Sequence, residues 1–480
     1  MAKKKTNMPK LALKNLTIEG DEKKFAIVSS AIAISICSLF TLITVLSQGQ
    51  NGELRNFFSA QAYSILNGSF EVDKSKLPGE CYIFEGMCFG YFGVTLSLLR
   101  IPLLIFGENF GFTSSSVIAA IILGVIVSTL ILYQITKIMR FWSLRSILNT
   151  KLNYVLLLLI VSLGSIFLQL TRPSAFWEAI SWGSTLTLFG VFLILKWYQD
   201  LFTRYLLGAL ACFILAANTR ITHGLIAFAV GFVCLMHLRY QDAKRKTWQV
   251  SFAAAIMVLP LITSLGVMYI KFNSFFPNLL MHEQIPEAQH WGKILENNGG
   301  KTVGLVFFLT NLLTYLRPDS LVLSNQFDLI SVRPSLIPVT NVYPLPEGGM
   351  NYEPSASITN LMPISVMMLI YVFVVSRKSL GFKGRSSHQE FVDFKFIRDL
   401  SISSLFGLII TLTFVMSSNR YLGDFIPASV LFATLGLIVF MKSKRYQEDK
   451  FYLLLIFVVI ILGVISNLLS IITRVRLGIL

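Results

Sequence analysis

Residues 113–139 read TSSSVIAAIILGVIVSTLILYQITKIM, twenty-seven residues with a single charge, Lys137, near the end. A helix rises about 1.5 Å per residue, so this run outreaches the roughly 30 Å hydrocarbon core of a bilayer. Comparable runs fall at 25–47, 152–170, 177–197, 203–219, 221–238, 249–271, 359–376, 399–418, 424–441 and 451–473, which makes eleven expected spans. The chain as a whole agrees: 480 residues, 54% hydrophobic, 14% charged, with a mean hydropathy of +0.67. A soluble protein of this size cannot hide that much apolar surface in one or two cores. The expected fold is all-α: a polytopic membrane protein of about 11 helices, 11 to 13 with two shorter loop helices. A basic amino terminus at 1–24 precedes one membrane domain over 25–480.

The runs 203–219 and 221–238 abut at Asn218, Thr219 and Arg220, which suits a helical hairpin turning at the membrane face. The first run is too long for a typical signal core, and no small-residue cleavage pattern follows it at Ser47-Gln48-Gly49-Gln50. It is expected to remain as an anchor.

Charge sets the expected orientation. With the amino terminus cytoplasmic, the inner segments hold 27 of the 41 Lys and Arg and 10 of the 25 acids. The inner face is then +17 and the outer −1, so the net +16 is a topological signal. A nucleic-acid partner would need that charge on one folded surface. Spread over six short segments, it excludes that class.

The irregular structure lies outside, in loops 48–112 and 272–358, the second with eight of the fifteen prolines. Two stretches within them, 92–107 and 302–317, read as interfacial helices too short to span. Ionisable residues gather at the outer span ends: Arg172 and Glu178, Arg220 and His223, Arg317 and Asp319, Glu353, and Arg420 with Asp424. Charges so near hydrocarbon tend to be paired or functional. Any single one is as well explained as an interfacial anchor or a loop salt bridge. Taken together, five clusters on one face are expected to line an outer cavity whose arginines hold a phosphate.

The first outer loop supplies five acids, Glu53, Glu71, Asp73, Glu80 and Glu85, one of which could accept a proton from an attacking hydroxyl. Each is also readable as a solvated loop acid. Cys81 and Cys88 flank YIFEGM, a short hairpin turning at Glu85-Gly86, and their offset argues against a bridge between them. Cys37, Cys212 and Cys234 lie in spans as packing residues. His282-Glu283 begins like a zinc helix, but Pro286 and the missing second histidine break the motif. There is no Walker loop, dinucleotide fingerprint or CxxC pair. The acids permit a divalent cation, but no ligand spacing demands one, and no other cofactor is expected.

Several strings carry a resemblance: LPGECYIFEGMCFGYFGVTLSLLRIPLL at 77–104, TRPSAFWEAISWG at 171–183, NTRITHG at 218–224, EPSASITNLMP at 353–363 and SNRYLGDFIP at 418–427. With the two long outer loops, they resemble GT-C membrane glycosyltransferases, and more narrowly a group of actinobacterial membrane proteins of that type. In those relatives the loop runs closer to YFGP-P-ALLR-P, where Val94 and Leu96 stand here. The resemblance implies sugar transfer on the outer face of the plasma membrane. The donor would be a polyprenyl-phosphate-linked sugar lying among the membrane lipids. The acceptor would be an envelope glycan or glycolipid. GT-C enzymes commonly place an Asp early in the first loop, and this chain has none before Asp73. Glu80 aligns with the relatives' acid and is the preferred catalytic base, with Glu53 the alternative. Arg172, Arg220, Arg317 and Arg420 would contact phosphate or sugar, and Glu178, Asp319 and Asp424 would orient them or bind hydroxyls. A transporter or flippase of an envelope lipid or polysaccharide, using the same charges as a vestibule, is the competing expectation. A non-catalytic scaffold is the third.

Overall fold

The computed structural model describes residues 56–76, 82–106, 112–139, 151–171, 174–239, 246–277, 303–323, 330–332, 356–377, 385–414, 419–442 and 450–477, with isolated helical positions between 28 and 42. The architecture is all-α, with two small hairpins. A loop region comes first: α1 (Phe57–Leu66), the hairpin β1 (Tyr82–Phe84) and β2 (Met87–Phe89), and α2 (Thr95–Arg100). A 3-10 stretch, Ile101–Phe106, extends α2. The bundle follows as α3 (Phe112–Ile138), α4 (Lys151–Phe167), α5 (Ala175–Asp200), α6 (Thr203–Ala217), α7 (Ile221–Leu238) and α8 (Lys246–Phe272). The second loop region holds α9 (Leu305–Leu316) and the hairpin β3 (Leu321–Leu323) and β4 (Ile330–Val332). The chain closes with α10 (Ile358–Leu361), α11 (Pro363–Arg377), α12 (Arg385–Ser403), α13 (Leu408–Thr413), α14 (Ile426–Lys442) and α15 (Lys450–Leu477).

Seven of the described helices are long and apolar enough to cross a membrane: Thr113–Ile138, Ala175–Asp200, Ile221–Leu238, Thr247–Phe272, Gln389–Thr413, Tyr421–Lys442 and Phe451–Ile472. Val155–Leu170, Thr203–Ala217 and Pro363–Val374 are apolar but shorter. The run at 25–47 falls mostly outside the described residues. The span expected at 399–418 is displaced. Its helix begins at Arg385, bends through a 3-10 turn at Ser404–Gly407, and gives way to extended backbone at Phe414. The bend follows from serine chemistry: the Ser401, Ser403 and Ser404 hydroxyls all donate to carbonyls one turn back. The polar first turns lack an apolar window, yet Asp393 is buried there because the Tyr198 hydroxyl donates to it at 2.6 Å.

α14 is the innermost span, with 94% of its apolar window buried, whereas α8 and α15 bury only 22% and 33%. The outward faces of these two carry Val258, Ile262 and Ile270, and Leu454, Ile461 and Leu462, which is what lipid contact requires. Small residues set the closest approaches. A side chain at Gly231 of α7 would strike the α8 backbone at Met257 N, 2.5 Å away.

Polar contacts sort to the two ends of the bundle. At one end the Gln134 amide donates to Gln199 at 2.6 Å, Lys442 pairs with Glu390 at 3.4 Å, and the Gln249 amide caps the Leu201 carbonyl at 3.0 Å. At the other end lie the loop helices. Both are inverted relative to surface helices of soluble proteins. α9 turns Asn311 and Thr314 inward and exposes Leu305, Leu309 and Leu313. α2 and its extension bury Thr95, Ser97 and Arg100 and expose Leu98, Leu99 and Ile105. Asn311 donates to the carbonyls of Leu412 and Phe414 at 3.0 and 2.8 Å, closing the broken end of α13.

A second closure lies where α10 stops before Pro363. The Asn467 amide of α15 donates to the Leu361 carbonyl at 2.6 Å and accepts from Gln169 at 3.0 Å. Asn467→Leu strands both groups, at about 1–3 kcal/mol each. It is expected to lower the thermal midpoint of the purified protein well below that of Leu462→Ala, a change on the lipid-facing side of the same helix.

Candidate functional site

The first loop is fastened to the bundle along residues 90–100. Gly93 lies directly against the α6–α7 junction, where a Cβ would fall 1.7 Å from the Asn218 carbonyl, so only glycine fits. Two residues on, the Thr95 amide donates to that same carbonyl at 3.2 Å and its hydroxyl to the Leu215 carbonyl at 2.8 Å. The Lys271 ammonium, buried at the end of α8, donates to the Phe92 and Gly90 carbonyls at 2.6 and 3.1 Å. Tyr91 stacks on Phe92, and Phe92 packs edge-on against Phe176 of α5.

A buried ion pair completes the attachment, and a second ties the α6–α7 junction to residues 419–425. Arg100 of α2 meets both carboxylate oxygens of Glu178 at 2.6 and 2.8 Å, and its other terminal nitrogen donates to Ser59 at 3.0 Å. Glu178 lies in the first turn of α5, where the helix dipole also favours its charge. Arg220, the residue before α7, donates to Asp424 at 2.9 Å across 204 residues of sequence. The hydroxyls of Thr411 and Thr222 donate to the same carboxylate at 2.7 and 3.2 Å. The Arg220 guanidinium lies 5.5 Å from the Tyr421 ring centroid. Its Nε and both ring nitrogens of the buried His223 have no hydrogen-bond partner among the described residues. His223 packs against Gly183, where a Cβ would come within 2.5 Å of the imidazole.

Of the residues expected from sequence, Glu178, Arg220 and Asp424 are thus held in place at one end of the bundle. Arg317 and Asp319 stand 4.0 Å apart, with Asp319 more than half exposed. Arg420 lies in the 3-10 stretch Asn419–Phe425, its side chain outside the described residues. Glu80, Glu53, Arg172 and Glu353 also fall outside them. Sequence reasoning missed Arg100 and Lys271 as anchors. Arg100 carried a readable signal, a lone guanidinium in an apolar helix.

Among the acids of the first loop, Glu85 tips the hairpin. It and Gly86 take positive φ, 51 and 83 degrees, the two-residue turn that the sequence indicated. Asp73 is exposed, and the Ser75 amide donating to it holds its carboxyl below the usual range, which makes it a weaker base. The expectation against a bridge at Cys88 is corrected: Cys88 is disulfide-bonded. The residue opposite it across the hairpin is Ile83, so the bond does not join directly facing positions, and its partner lies outside the described residues. Cys212 and Cys234 are free and buried, as packing residues should be. No three His, Cys, Asp or Glu among the described residues are grouped to hold a metal.

No family model matches the chain, and no curated protein matches it in sequence.

Removing one member of a buried ion pair strands the other and costs about 3–5 kcal/mol. Arg220→Met and Asp424→Leu are each expected to abolish the folded, monodisperse species in detergent or to lower its midpoint sharply. The double variant should recover much of the loss, as a double-mutant cycle on the pair would read.

Proposed function

We propose that the protein is a GT-C-type glycosyltransferase of the plasma membrane, with eleven spans and a cytoplasmic amino terminus. It moves a sugar from polyprenyl phosphate to an envelope glycan or glycolipid on the outer face. The observation that carries this reading is the convergence of four sequence-distant segments. Residues 90–100, 174–178, 218–223 and 419–425 meet at one end of the bundle through two buried ion pairs. Four of the five strings that carry the family resemblance make these contacts. A reaction on a lipid phosphate needs such a rigid, charged frame at the membrane surface.

In this mechanism Glu80 takes the proton from the acceptor hydroxyl, and the freed oxygen attacks the anomeric carbon. The bond to phosphate breaks, and polyprenyl phosphate departs with the electron pair. Arg172, Arg317 and Arg420 hold the phosphate. Arg220 is bound to Asp424 through one terminal nitrogen, and its buried Nε has no partner among the described residues. Its part is to fix the frame and to donate one further hydrogen bond.

One observation favours the transporter or flippase reading. The chain breaks from helix at Phe414, and α9 closes the break, an arrangement that lines substrate paths in some carriers. Proteoliposomes decide between the two. With radiolabelled sugar on polyprenyl phosphate, the wild type is expected to transfer label, and Glu80→Gln to lose about a hundredfold or more with folding intact, the scale of a missing general base. Lipid scrambling without transfer from any donor would favour the carrier.

A further inference from the structure

We infer a second site, at the opposite end of the bundle, for the phosphodiester headgroup of an anionic membrane phospholipid. A cavity of about 680 Å³ opens there between the α5–α6 connection and the start of α8. It is lined by Asp200, Leu201, Phe202, Thr203, Thr247 and Trp248, together with Gln249, whose amide is spent on the Leu201 carbonyl.

Three observations indicate what it takes. The first is depth. Trp248 is 73% exposed and Phe202 54% exposed, at the ends of helices whose next turns are lipid-facing. Large aromatics stand so at the headgroup level of a bilayer. The second is the balance of charge. Asp200 is neutralised by Lys196 at 3.2 Å, whereas Arg204 has no acidic partner among the described residues. Its guanidinium stacks between Phe202 and Tyr205, 4.9 and 5.2 Å from their ring centroids, which holds the cation at the cavity rim. The third is the supply of donors. The Thr203 and Thr247 hydroxyls line the cavity from the first turns of α6 and α8, and no side chain caps α6 there. One negative charge bearing several acceptor oxygens complements this set, and its acyl chains would run down beside α8, the least buried span. Basic pockets between spans bind anionic headgroups in this manner.

The test uses the full chain in nanodiscs of phosphatidylcholine alone or phosphatidylcholine mixed with phosphatidylglycerol. Phosphatidylglycerol is expected to raise the unfolding midpoint by several degrees and to stay with the protein in native mass spectrometry. Arg204→Gln, an exposed position outside the core, should lose most of the rise. Lys137→Gln, an exposed cation near the same end of α3, should keep it. Equal midpoints in the two lipids, or an undiminished rise in Arg204→Gln, would overturn the site. Equal loss in both variants would reduce it to general surface charge. Glycerol phosphate stabilising the protein in phosphatidylcholine as strongly as the lipid does would show a free-phosphate site instead.

Discussion

Hydrocarbon offers no hydrogen-bond partners, so every charge and every broken helix end within it must be answered by the protein itself. That constraint shapes the loop end of this bundle. Arg100 and Glu178 answer each other across 78 residues, Arg220 and Asp424 across 204. The Leu412 and Phe414 carbonyls, freed where α13 stops, are taken by Asn311, and the Leu361 carbonyl, freed before Pro363, is taken by Asn467. An apolar pair of equal volume would hold a loop about as firmly as a buried ion pair. A guanidinium gripping both oxygens of one carboxylate accepts far fewer alternatives. We take the two pairs as devices that set where the first loop and the α6–α7 junction sit rather than how tightly.

The inverted faces of α2 and α9 follow from the same rule. A loop helix in water hides its leucines, but these two hide Ser97, Arg100, Asn311 and Thr314. Their outward leucines make sense only if the loop helices are sunk into the bilayer margin. The charged frame of the ion pairs then borders lipid as well as water.

Much of this was legible in the sequence, and the rest was hidden for definite reasons. The long spans declared themselves through uninterrupted apolar runs, and the turn at Asn218–Arg220 through three polar residues between two of them. Glu85-Gly86 gave the hairpin because few dipeptides accept two positive φ values in succession. The start of α12 was not legible, because its first turns are polar and Asp393 is buried with the help of Tyr198 in another helix. The identities of the ion pairs were hidden likewise. Glu178, Arg220 and Asp424 could be recognised as costly charges, but who answers whom depends on packing that no spacing encodes. Arg100 and Lys271 were passed over because each sits alone in an apolar string, with partners far along the chain.

The pairing also changes what the arginines can do. A guanidinium already neutralised by a carboxylate is a poor clamp for a phosphate, since the phosphate would have to displace or repel the acid. By that argument the buried arginines divide from any ligand-binding cation: Arg220 and Arg100, each held by a carboxylate, keep the walls in place. Such a division is consistent with electrostatic preorganisation, in which fixed dipoles and charges are aligned before the substrate arrives. Arg220 Nε stands apart in this division: it and both ring nitrogens of the buried His223 have no partner among the described residues. A buried donor left open in such a wall is where a polar group of a ligand, or an ordered water, has the most to gain.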